Sequence, residues 1–166
     1  MTDPTSPAST AGEDERWLAE AVAAARANVA EGGGPFGAVL VRGGVVLGRG
    51  QNRVTRDLDP TAHAEVMAIR AACLETGDFS LAGCTLYTSC EPCPLCLAAS
   101  MWARIDRVVY SADRDDAAAG GFDDRAFYAE LRKPRTEWSM AVEHRRTPDS
   151  TSPFDTWLAH EGRTHY

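Results

Sequence analysis

The chain has 166 residues, with 17 Lys and Arg against 24 Asp and Glu (net charge −7), and 44% of its residues are apolar. That length and balance suit one globular domain carrying at most a tail, and they exclude a wholly disordered chain. No apolar run approaches the about 18 residues of a membrane span, and Met1 to Ala11 has neither a basic start nor an apolar stretch, so no secretory leader is expected. The acidic charge argues against a nucleic-acid partner, whose phosphates are held largely by Lys and Arg.

Residues 1–13 contain almost no large apolar groups and are expected to be a disordered tail, leaving 14–166 as a single domain. From Asp14 to Val29, Trp17, Ala21, Ala25 and Val29 recur at spacing four and predict a helix with one apolar face, ended by Gly32-Gly33-Gly34-Pro35. Phe36–Val41 and Val45–Leu47 flank Gly43-Gly44 and read as an antiparallel hairpin. Asp59-Pro60 offers an N-cap and a first-turn proline for a helix running to about Glu75. Thr85–Thr88, Pro94–Trp102 and Arg107–Tyr110 then read as strand, helix and strand, a right-handed parallel crossover. Further on, Phe122–Leu131 is predicted helical, Trp138–Val142 a strand and Phe154–His160 a short helix. The expected fold is α/β, three layers with a central mixed five-stranded sheet between helices.

Two segments carry chemistry: Thr61-Ala62-His63-Ala64-Glu65, and Cys90-Glu91-Pro92-Cys93-Pro94-Leu95-Cys96. Cys93 and Cys96 are three apart, so in a first helical turn their sulfurs share a face, within the positive field that favours thiolates. His63 supplies a neutral imidazole. Three protein ligands leave one tetrahedral position for water, the arrangement of a catalytic zinc; structural sites are closed by four. Glu65 need not bind the metal and is placed to move a proton between that water and a leaving group. This pairing of H-x-E with P-C-x-x-C is the signature of zinc-dependent base deaminases. Taken singly, Cys-x-x-Cys also suits a redox pair and His-x-Glu a solvated helix face. Cys90 as a fourth ligand would make a closed structural site, while Cys73 and Cys84 read as small buried apolar residues.

With those motifs, and with Gly34-Pro35-Phe36-Gly37-Ala38-Val39 and Gln51-Asn52, the chain resembles the cytidine-deaminase-like zinc deaminases over residues 31–166. Within that group it looks most like the bacterial guanine deaminases. The resemblance implies one zinc ion per chain, a small-molecule nucleobase as substrate, a homodimer, and a C-terminal segment, residues 150–166, exchanged between subunits as a lid. Asp115-Asp116-Ala117-Ala118 followed by Gly121-Phe122-Asp123-Asp124 looks like the segment that supplies a base-reading aspartate, a role the resemblance assigns to Asp116; a loop or helix cap is the alternative for it. The same resemblance makes Tyr166 the residue that caps the partner's site, against an untethered terminus.

Asn52 presents an amide able both to donate to and accept from a base edge. Phe36 is placed to lie against the ring or in the core, and Ala64 completes the expected substrate contacts. The reaction expected is guanine plus water to xanthine plus ammonia. Rivals on the same machinery are guanosine, cytosine, isoguanine or an amino-triazine, and a tRNA adenosine deaminase, which would need a basic surface. A non-catalytic zinc-binding module is the rival from another class. Thiolate ligands and the missing leader point to the cytoplasm. No role is assigned to Glu143 or Asp149.

Overall fold

In the computed structural model, which describes residues 11–166, the first element is α1 (Ala11–Ala30), starting three residues before the predicted Asp14. The tail expected over residues 1–13 otherwise lies outside the described residues. Trp17, Ala21 and Ala25 are buried as expected, but Val29 is 52% exposed and Asn28 is fully buried in its place. Each step of four overshoots the 3.6-residue turn by about 40°, so the third step leaves the core face and position 28 returns to it.

The hairpin forms as expected, from β1 (Gly37–Arg42) and β2 (Val45–Gln51), with Gly43 and Gly44 at φ 56° and 79°. On its other edge β1 pairs antiparallel with β3 (Thr85–Cys90). β3 pairs parallel with β4 (Arg107–Ala112), and α4 (Pro94–Trp102) makes the predicted crossover. The sheet is mixed, in the order β2-β1-β3-β4, and has four strands among the described residues, not five. The missing strand is Trp138–Val142. Local bonds hold its start instead: the Trp138 indole N–H donates to the Lys133 carbonyl at 3.1 Å, and the Ser139 amide N–H donates to the Glu130 carboxylate, so that donor is lost to any ladder. A short 3-10 turn, Arg135–Glu137, precedes this stretch.

Alternation along β1 divides the core. Val39 and Val41 join Trp17, Ala21 and Tyr87 beneath α1. Ala38 and Leu40 point the opposite way, against Leu86 and the helix α3 (Ala64–Thr76). Helices therefore cover both faces.

The helix expected from Asp59 begins at Ala64. The Asp59 carboxylate instead accepts from the Thr61 amide (2.8 Å) and hydroxyl (2.7 Å), closing a turn, after an unforeseen short helix α2 (Val54–Asp57). The start of α3 lies almost on β2: a Cβ at Gly50 would sit 1.9 Å from the Ala64 carbonyl oxygen. Beyond the sheet come α5 (Arg114–Ala119), α6 (Asp124–Leu131) and α7 (Ser152–Ala159). The chain divides into two compact units, Met1–Tyr128 and Ala129–Tyr166. Among the described residues no helix is long and apolar enough to cross a membrane.

Candidate active site

Two helix N-termini deliver the chemistry. His63 is the N-cap of α3, and Cys93 is the N-cap of α4, with Pro94 opening the helix and Cys96 in its first turn. The His63 Nδ1 lies 3.5 Å from both sulfurs, which are 3.6 Å apart. A tetrahedron with Zn–S bonds of about 2.3 Å has edges of roughly 3.8 Å, so the trio already has the spacing of three corners around one ion. Hydrogen bonding from Cys96, aided by His63, holds the Cys93 thiol down to about 4 against the opposing effect of burial. The hydrogen bond to Cys93, reinforced by burial, raises Cys96, and the bond to Cys93 raises His63. Such a donor set takes up a soft divalent cation readily.

Cys90 stands apart from this trio. Its sulfur faces the Asp113 carbonyl at 3.5 Å, and burial raises its thiol to about 11. The closed four-ligand alternative is not assembled; the clustered ligands among the described residues are His63, Cys93 and Cys96.

Beside the trio opens a cavity of about 440 Å³, lined among others by Phe36, Asn52, Thr55, Glu65, Phe122 and Asp124. Glu65, in the first turn of α3, is 6% exposed, and burial raises its carboxyl above the usual range. The Phe36 ring meets Phe122 edge to face at 4.8 Å, which makes one wall aromatic. Asn52 is 8% exposed and turned to the same space.

Not every expected contact is here. Ala64 is fully buried beneath β2 and does not line the cavity. Asp116 is exposed and closes a capping box with Asp113: its carboxylate accepts from the Asp113 amide at 3.0 Å, and its own amide donates to Asp113 at 2.9 Å. The carboxylate that reaches the cavity is Asp124, whose burial raises its pKa. The sequence did carry a signal for it. Gly121 breaks the chain just after the cap, and an aromatic residue and two aspartates follow. Tyr166 lies in the second unit, 74% exposed, with its ring 6.5 Å from that of Trp157.

A trio spaced for one metal ion, a buried carboxylate and a cavity with an aromatic wall suit a metal-dependent hydrolase acting on a flat ring. Residues 11–112 match the family described as the cytidine and deoxycytidylate deaminase zinc-binding region. The chain is similar to the guanine deaminase of Bacillus subtilis, 47% identical over 92% of this chain and 98% of that one. The crystal structure of that enzyme superposes with a TM-score of 0.88 over the same shares. A guanine deaminase structure from Nitrosomonas europaea shares 34% identity over 66% of this chain and 64% of its own, with a TM-score of 0.64. The tRNA-specific adenosine deaminase of Bacillus subtilis is 38% identical over 60% of this chain and 62% of its own. This chain belongs to the cytidine and deoxycytidylate deaminase zinc-binding family. It is a zinc-dependent aminohydrolase.

Proposed function

We propose that the chain hydrolyses guanine to xanthine and ammonia. The observation that carries the substrate is the near full-length match to a guanine deaminase, since the adenosine-deaminase match covers a smaller share of both chains. Its own cavity agrees, with an aromatic wall and two polar readers on a space of about 440 Å³.

His63, Cys93 and Cys96 would hold one zinc ion per chain, which supplies a water of lowered pKa and an electrophilic centre when bound. Two thiolates would neutralise much of the bound ion's charge, which leaves deprotonation dependent on a base. Glu65, buried and reluctant to stay ionised, takes a proton from the attacking water as its oxygen bonds to guanine C2, and returns it to the C2 amino group, which departs as ammonia when the C–N bond breaks. Asn52 and Asp124 read the base edge: the amide donates and accepts, and the carboxylate accepts from ring N–H groups. Phe36 and Phe122 hold the ring plane. In this reading Asp124 takes the place that the sequence had suggested for Asp116.

The resemblance further supports a homodimer in which residues 150–166 are exchanged and Tyr166 caps the partner's site. All five cysteines are free thiols, which suits a reducing compartment such as the cytoplasm.

The test is ammonia release from guanine by the zinc-loaded protein, with guanosine, cytosine, isoguanine, an amino-triazine and tRNA adenosine run in parallel. Glu65→Ala is expected to keep its zinc and lose about 10²- to 10⁴-fold in turnover. Full activity in that variant, or a different preferred amine, would overturn the mechanism or the substrate respectively.

A further inference from the structure

We infer that Asn28 is a positioning residue for base recognition, clipping together the two walls of the substrate cavity with one buried amide. The inference rests on the guanine-deaminase reading, in which Asn52 reads the base.

Asn28 is completely buried on α1, on the face where an apolar residue was expected. Its Nδ2 sends one hydrogen to the Gly34 carbonyl and the other to the Asn52 carbonyl, each at 2.7 Å. Those carbonyls belong to different walls of the cavity, the glycine run before Phe36 and the turn after β2. Asn52 itself is a base reader in the proposed function. The Asn52 amide also donates to the Phe36 carbonyl at 3.1 Å, so moving one wall moves the other.

The orientation of the Asn28 amide is fixed from behind. Its Oδ1 accepts from the Arg56 guanidinium, which also holds Glu31 at 2.9 Å. That leaves the NH2 group facing the two carbonyls. Gly33 completes the fit: a Cβ there would lie 2.5 Å from both Asn28 side-chain polar atoms, and its amide donates to the Asn28 carbonyl at 2.8 Å. Neither wall carbonyl is reached by any donor on an aspartate, which matches asparagine in shape but has no hydrogen to give when ionised.

Asn28→Asp in the full zinc-loaded chain is therefore the sharp test. KM for guanine should rise about tenfold, the scale of a lost buried hydrogen bond, with kcat and zinc content nearly unchanged. A purely structural asparagine would instead lower the folded fraction and leave KM in the remaining enzyme as it was, and that result overturns the inference. Should Asn28→Asp fail to fold, Arg56→Gln releases the amide from a side chain that is 25% exposed. A raised KM there supports the clip, and an unchanged KM overturns it. Wild-type protein silent on guanine would overturn the functional reading first, before any variant is compared, and the inference would fall with it.

Discussion

At the scale of single residues, the site separates aspartates that look alike in the chain. Asp116 spends its carboxylate on the Asp113 amide, while Asp124 reaches the cavity beside Phe122. Asp124→Asn should raise KM for guanine by about 10- to 100-fold, because an amide presents a donor toward ring N–H groups. Asp116→Asn should leave KM unchanged and cost only a fraction of the capping stability of α5. Steady-state kinetics on both variants decide the assignment, and an Asp116-sensitive KM would return the role to that residue. The metal trio needed no such sorting. Ligand types and spacings within two short motifs carry their own geometry, because Cys93 and Cys96 are three apart on one helix and His63 stands two residues before Glu65.

Among the elements, α3 and β2 show how tightly the site is seated. The Ala64 carbonyl approaches so close that Gly50 has room for hydrogen only. Gly50→Ala must push the N-terminus of α3, with His63 and Glu65, away from the sheet. The expected result is a loss of about 1–3 kcal/mol or more in unfolding free energy, together with weaker zinc retention. Thermal melts with and without a chelator measure both, and an unshifted melting temperature would show that the contact can relax. The crossover β3-α4-β4 was legible because proline, apolar runs and turn residues mark it locally. The start of α3 was not, because Asp59 and Pro60 make a plausible cap wherever they occur. The extended segment before Ala64 is set by its seat on β2.

For the whole molecule, the second unit carries the proposed exchange of residues 150–166 between subunits. Phe154 and Leu158 on α7 are 67% and 63% exposed, an apolar face that another subunit would cover in the proposed dimer. Removing residues 153–166 should abolish association and most turnover, read by light scattering and ammonia release. A truncated protein that remains dimeric and fully active would reject the exchanged lid.

The chain by itself picked out the His63, Cys93 and Cys96 trio, Glu65 as its proposed acid–base partner, the hairpin and the parallel crossover, because each is encoded within a few neighbouring residues. The tertiary structure decided the rest. It moved the fourth buried position of α1 from Val29 to Asn28, since helical rotation accumulates over several turns. It took Trp138–Val142 out of the sheet, since local hydrogen bonds claimed a donor a strand would need. It chose Asp124 over Asp116, because which carboxylate faces a cavity depends on where distant segments meet, and no local pattern of residues records that meeting.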